Sequence, residues 1–244
     1  MPSRDQRERL PRGSNWLVRH GWRRQMNRMR QDWDRRAREN AFHFIADGQV
    51  HWSEGDFHES GRLTVQGDIL SDMENICQGR DPKRMSILEI GCGAGRVTHA
   101  LAQVFGEVHA VDVSGEMIRL ASQALHGAPN VFLYRNSGVD LAVLGERRFD
   151  FAYATAVFHH IGSREIIENY IREVNRLLNP GCLFKFEVQG SANVAENADE
   201  TWLGPAFNSR QMVEMAVRCN FDPRYREGEG QERFWWWFFK WPEE

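Results

Sequence analysis

The chain has 244 residues, enough for one sizeable core with a small appendage. Its 31 basic and 34 acidic side chains leave a formal charge of −3, so the molecule as a whole carries no polyanion-binding signature and nucleic acid is not an expected partner. It holds no run of about 18 apolar residues and no N-terminal apolar stretch of the signal-peptide kind, and Cys77, Cys92, Cys182 and Cys219 stand singly rather than in C-x-x-C pairs. These features predict a soluble, cytoplasmic chain without membrane contact, with buried inert thiols and no metal site.

Residues 1–13 are polar, with Pro2, Pro11 and Gly13, and are expected to fray. From Trp22 the spacing of Met26, Met29, Trp33 and Ala37 predicts a helix with one apolar stripe, while Arg23, Arg24, Arg28, Arg30, Arg35 and Arg36 occupy its other positions. The plain reading is a helix docked on the core with a solvated basic face; a substrate lid or an anion-binding surface is the sharper one. Residues 40–67 read as a loop rich in aromatic and histidine side chains (Phe42, His43, Phe44, His51, Trp52, Phe57, His58), without the tight spacing of metal ligands.

A helix over 68–78 leads to Asp81-Pro82, and then strands and helices alternate, which implies βαβ units and a parallel sheet. Strands are predicted over 86–90, 108–113, 131–135, 149–154 and 182–188, with helices over 96–105, 114–125 and 164–178. Asn179-Pro180-Gly181 breaks the last of these, and Ser209 is a plausible N-cap for a helix over 210–219. The tail carries six consecutive aromatics, Phe234 to Phe239, with 221–226 upstream across a glycine-rich turn. Six residues are too few to span a bilayer, and a strand covered on both faces also reads as a continuous apolar run, so a buried sheet strand is expected.

The chemistry is concentrated where the first of these strands runs into Gly91-Cys92-Gly93-Ala94-Gly95-Arg96 and a helix. Glycines let the chain turn sharply and let a ligand approach the backbone. The third glycine falls two residues after the second, whereas a dinucleotide fingerprint needs it at 96, where Arg96 stands. Glu89 precedes the loop, close to where a cationic amino group would be received. The next strand ends in Asp112, 17 residues past Gly95 and about where a carboxylate reaches ribose hydroxyls.

Together these residues resemble the class I S-adenosylmethionine-dependent methyltransferases of the small-molecule type, over roughly 86–188, with the tail fitting the last two strands of that fold. The resemblance implies an α/β, Rossmann-like, doubly wound sheet of seven mostly parallel strands with an antiparallel last strand. It divides the chain into an N-terminal helical or lid extension over 1–67 and an S-adenosylmethionine-binding methyltransferase domain over 68–244. Cofactor contacts are implied at Glu89, Gly91, Cys92, Gly93 and Gly95, at Asp112 and Val113, at Met117 against the adenine, at Asn136 and Ser137, and at Thr155. Many members have an acid where Asn136 stands; its side-chain carbonyl can still accept from the adenine amine.

The segment Thr155 to His160 leaves the carboxyl end of a strand and is expected to face the reacting centre. Its His159-His160 pair is similar to one in many small-molecule members, and the Asn-Pro-Pro-Tyr of enzymes that methylate base amines is absent. Either histidine is a candidate base for a hydroxyl acceptor, against the plainer reading that one packs under the sheet, hydrogen-bonded to backbone, and the other only shapes the pocket. The stretch 189–208, with Trp202 and Phe207, and the aromatics Trp16, Trp22, Trp33 and Trp52 are candidates to line an acceptor pocket. The expected activity is methyl transfer to a small-molecule acceptor, giving S-adenosylhomocysteine. The alternatives are an RNA or protein methyltransferase, a non-catalytic S-adenosylmethionine-binding module, and other sulfonium chemistry. The acceptor, O- or N-methylation, and a homodimer are left open.

Overall fold

A computed structural model of the chain describes residues 15–46, 52–191 and 203–243, with side chains in the first helix from Gln25 onward. The strands β1 (Ser86–Ile90), β2 (Glu107–Asp112), β3 (Val131–Arg135), β4 (Phe149–Ala154), β5 (Leu178–Val188), β6 (Phe221–Glu227) and β7 (Phe234–Lys240) form one sheet in the order β3-β2-β1-β4-β5-β7-β6. Neighbours from β3 to β5 run parallel, while β7 runs antiparallel between β5 and β6. The order reverses at β1, so the carboxyl ends of β1 and β4 diverge into a crevice, the place where open α/β sheets bind ligands.

The sheet forms because β1, β4 and β5 bury mostly apolar side chains on both faces, which helices cover. On one face Leu88, Ala152, Phe184 and Phe238 pack under α6 (Arg164–Leu177) and α7 (Ser209–Arg218). On the other, Ile87, Phe151, Leu183 and Phe239 pack with Val97 and Leu101 of α4 (Arg96–Val104). The aromatic tail is β7: Phe234, Trp236 and Phe238 on one side and Phe239 on the other are buried. All four cysteines are buried and unpaired. Among the described residues, no helix is long and apolar enough to cross a membrane and no cluster of potential metal ligands forms.

The stripe that begins at Trp22 belongs to α1 (Asn15–Ile45), on which Met26, Met29 and Ala37 are buried, Trp33 is half-buried, and Arg28 and Arg35 face outward. Three local expectations change. Within 40–67 most of the described residues are helical rather than loop: α1 continues past an extended Asn40 to Ile45, and α2 occupies Glu54–Asp68, capped by the Ser53 hydroxyl, which accepts from the Asp56 amide at 3.0 Å. Its buried stripe is only Phe57, Gly61 and Val65, too narrow to register as amphipathic. The segment 68–78 is a single 3-10 turn at Leu70–Asp72 and the five-residue α3 (Met73–Cys77), which ends at Gln78 in the left-handed region. The N-cap of α7 is Asn208 rather than Ser209, because Asn208 and Gln211 form a reciprocal capping box. The expected fraying over 1–13, the side chains of Trp16 and Trp22, His51, and Trp202 with its neighbours from 192 lie outside the described residues.

Gly61 explains why α2 lies so close to α4. A Cβ there would stand 1.9 Å from the Arg96 carbonyl oxygen, so the contact exists only because the side chain is absent. Gly61→Ala is expected to force the helices apart and cost about 1–3 kcal/mol. Urea unfolding of the variant measures this, and an unchanged midpoint would show that α2 adjusts freely.

Candidate active site

A cavity of about 200 Å³ opens at the carboxyl ends of β1, β2 and β4, roofed by Met29 and Trp33 of α1. Its floor is the glycine loop. Gly91, Gly93 and Gly95 all adopt positive φ, which L side chains rarely do. The Asp112 carboxylate fixes this loop to the next strand: Oδ2 accepts from the Gly93 amide at 2.9 Å and Oδ1 from the Ser114 amide at 2.8 Å. Burial outweighs these bonds and pushes the Asp112 pKa up to about 6. Behind it, Glu89 is 3% exposed, accepts from the Thr98 hydroxyl at 2.6 Å, and is pushed by burial up to about 7. Two carboxylates held toward their neutral forms line a single cavity. Each would be stabilised in its charged form by a cation.

Beyond Asp112, Ser114 caps α5 (Gly115–Ala124), and Met117 is buried against the cavity. At the end of β3, the amide nitrogen of Asn136 donates to the Tyr170 hydroxyl at 2.8 Å, while its side-chain oxygen is buried without a partner among the described residues. Helix α1 is fastened across this region by two side chains one turn apart. The Asp34 carboxylate accepts from the Ser114 hydroxyl at 2.6 Å and from the Glu116 amide at 3.1 Å. Arg30 donates to the Ser137 carbonyl at 3.1 Å. These contacts hold α1 against the loops that follow β2 and β3.

The opposite end of the cavity is built on Glu187, which is fully buried near the carboxyl end of β5. It accepts from the Thr155 hydroxyl at 3.0 Å, the Ala156 amide at 2.6 Å, and Nε and Nη2 of Arg233 at 2.8 and 3.1 Å. This carboxylate holds Ala156 at φ 54, a left-handed turn in the chain leaving β4. The following 3-10 turn, Phe158–His160, carries both histidines. His159 is buried, its Nδ1 has no partner among the described residues, and burial together with the nearby Arg233 charge lowers its pKa to about 4. His160 packs edge-on against Trp33 at 5.2 Å. The Gly204 amide donates to the His159 carbonyl at 2.5 Å, so one described end of the 189–208 stretch closes against this turn, with Leu203 on the cavity wall.

Of the residues expected at the site, Glu89, Gly91, Cys92, Gly93, Asp112, Val113, Met117, Asn136, Thr155, His159 and His160 line this one cavity. Gly95 does not: a Cβ there would meet Leu125 at 2.9 Å, so its place is in the packing of α4 against α5. Ser137 does not either; its hydroxyl closes a turn by accepting from the amides of Val139 and Asp140. Trp33 lines the cavity, whereas Trp52 packs beside Phe57 and Phe207 lies in the core. Sequence reasoning missed Glu187, Arg233, Tyr170 and Asp34. For Glu187 a signal existed, since an acid inside the apolar strand Phe184-Lys185-Phe186-Glu187-Val188 has to be paired.

Residues 87–181 match the family model of a methyltransferase domain. Over those residues the chain is similar to a methyltransferase domain. A ubiquinone biosynthesis O-methyltransferase of Methylobacterium nodulans is 29% identical over 119 residues, 46% of this chain and 47% of that protein. A putative methyltransferase of Bacillus subtilis, YqeM, is 27% identical over 116 residues, 47% of each chain. The chain thus spans about half the length of the curated relatives it matches. Among solved structures, magnesium protoporphyrin IX methyltransferase from Synechocystis, with bound S-adenosylhomocysteine, gives a TM-score of 0.63 at 15% identity, covering 86% of this chain and 97% of that one. The DhpI–S-adenosylhomocysteine complex gives 0.63 at 16% identity, covering 92% and 99%. At such identities the likeness is one of fold, and it extends over the methyltransferase domain and the helices before it.

The raised carboxyl pKa at Glu89 has a sign that can be measured. Its native value of about 7 lies above the ordinary 4.5, so between these values the folded domain holds the proton and the unfolded chain does not. That contribution to stability grows as pH falls from about 8 to about 5. Glu89→Gln, which keeps an acceptor for Thr98, is expected to melt above the parent near pH 8, with the gap closing near pH 5. A gap independent of pH would mean that Glu89 titrates as an ordinary carboxyl.

Proposed function

We propose that the chain is a cytoplasmic S-adenosylmethionine-dependent methyltransferase acting on the oxygen or nitrogen of a small molecule. The observation that carries this reading is the pairing, in one cavity, of two buried carboxylates of raised pKa with an unpartnered buried amide oxygen. A cationic ligand relieves the first, and an exocyclic amine satisfies the second. S-adenosylmethionine has both features, and its sulfonium supplies an electrophilic methyl group when bound. Asp112 would receive the ribose hydroxyls while keeping the Gly93 and Ser114 amides, because each carboxylate oxygen can accept more than one bond. Glu89 would receive the amino group, Met117 the adenine face and Asn136 Oδ1 the adenine amine, with Gly91, Cys92, Gly93, Val113 and Thr155 completing the wall.

The protein's own work is alignment and exclusion of water. Helix α1, which lies within the extension proposed over 1–67, covers the cavity through Met29 and Trp33 and is held by Asp34 and Arg30. The domain proposed over 68–244 supplies the sheet and the loops. His159 or His160 is the candidate base for a hydroxyl acceptor. His159 is neutral near pH 7 and its ring makes no hydrogen bond among the described residues, so it has a lone pair to offer. The names of the biosynthetic relatives support a small-molecule acceptor.

The deciding experiment is thermal melting with S-adenosylhomocysteine, S-adenosylmethionine and NAD. Ligand at about 100 times its dissociation constant stabilises a binder by roughly 2.7 kcal/mol, a shift of about 5–10 °C for a domain of this size. The adenosyl ligands alone are expected to shift the transition, and Asp112→Ala is expected to abolish the shift. A shift with NAD, or none with the adenosyl ligands, would overturn the reading. Once an acceptor is known, His159→Ala and His160→Ala are expected to lower turnover while leaving adenosyl binding nearly unchanged. Full turnover in both variants would end the histidine assignment.

A further inference from the structure

Arg233 stands just before β7 and reaches the cavity at the end away from Asp112. One edge of its guanidinium is consumed: Nε and Nη2 bind Glu187, and Nη2 also donates to the Thr155 hydroxyl at 3.0 Å. The remaining nitrogen, Nη1, has no partner among the described residues, although the side chain is 53% exposed and lines the cavity. The group is built rather than incidental. Glu187 is fully buried and would be strongly destabilising without its cation, so the pair fixes the guanidinium plane and aims its outer edge in one direction. Beside it, His159 is about nine-tenths buried with its ring unbonded, a second polar group at this end without a partner in the protein.

We propose that Arg233 anchors the acceptor through a carboxylate on the acceptor. This inference rests on the methyltransferase reading and adds to it the chemical class of the second substrate. A guanidinium locked on one side presents its outer edge to a planar oxyanion, the geometry in which arginine outperforms lysine. The charge balance selects a single negative charge. Glu187 already offsets much of Arg233, and Glu232 also lines the cavity, so a dianionic phosphate meets net repulsion. The rest of the wall near the histidines is apolar and aromatic, with Met29, Trp33 and Ile161, which favours a flat apolar body carrying that one acid. Thr155 completes the arrangement by donating to Glu187 while accepting from Arg233, so its hydroxyl orders both partners.

The test is binding to the full chain saturated with S-adenosylhomocysteine, using a panel of hydroxylated aromatic acids, each paired with its primary amide, and ligand-observed NMR as the readout. At least one acid is expected to bind about tenfold or more tighter than its amide, the margin of a charge-assisted hydrogen bond. Arg233→Gln is expected to erase that preference. Because this variant leaves Glu187 buried and unpaired, the double variant Glu187→Gln/Arg233→Gln, which removes both charges, serves if the single one unfolds. Glu187→Gln alone frees the guanidinium and is expected to keep or increase the preference for the acid, an outcome a purely structural ion pair would not produce. The proposal is overturned if no acid binds, if acids and amides bind alike, or if the preference survives loss of Arg233. Failure to bind S-adenosylhomocysteine in the same samples would instead strike the methyltransferase reading.

Discussion

The site depends on one carboxylate accepting two backbone amides. Asp112 takes the Gly93 amide from the loop after β1 and the Ser114 amide from the start of α5, so a single side chain sets the spacing between the two strand ends. Ser114 in turn donates to Asp34, which carries the same chain of contacts into α1 and the roof of the cavity. Floor, wall and roof are therefore mechanically coupled through a few hydrogen bonds around one partly desolvated acid. Burying that charge raises its pKa to about 6, and a cationic ligand nearby would favour its ionised form.

The two ends of the cavity solve the problem of buried charge differently. Near the glycine loop, burial drives Glu89 and Asp112 toward the neutral form, against hydrogen bonds to both and the Arg96 charge near Glu89. At the far end, Glu187 is buried as deeply but holds Arg233, and the pair organises the turn that carries His159 and His160. One end is poised to receive positive charge from a ligand, and the other already owns its positive charge. The proposed function puts the sulfonium donor at the first end and the acceptor at the second, along this polarity. The polarity also explains why His159 is a neutral ring: burial first, and Arg233 second, oppose its protonation.

Much of the fold was legible because the β-strand signal is local. Strands β3 and β4 fall where the sequence places them, and β1 does too, since short apolar runs between turn residues admit few other arrangements. The aromatic tail reads correctly as a strand for the same reason: only a position covered on both faces tolerates Phe234 to Phe239 in a row. Helix α2 was illegible because its defining residue is an absence. Gly61 reads as a loop former in one dimension and as a point of close approach in three. The site divides in the same way, with Asp112 and the glycines standing at fixed distances from strand ends, whereas Arg233 comes from a hairpin 46 residues beyond Glu187 in the chain.

By itself the sequence determined the class of fold, the turn that shapes the floor of the cavity, and the acid that closes it. Those follow from hydrophobic period, from glycine's freedom at positive φ and from the length of one βαβ unit, all properties of contiguous chain. Only the tertiary structure decided which polar groups remain unpaired, which carboxylates are forced toward neutrality, and that Arg233 meets Glu187 under Thr155. Desolvation and hydrogen-bond satisfaction are properties of what surrounds a group, and those surroundings are assembled from segments that are distant in sequence.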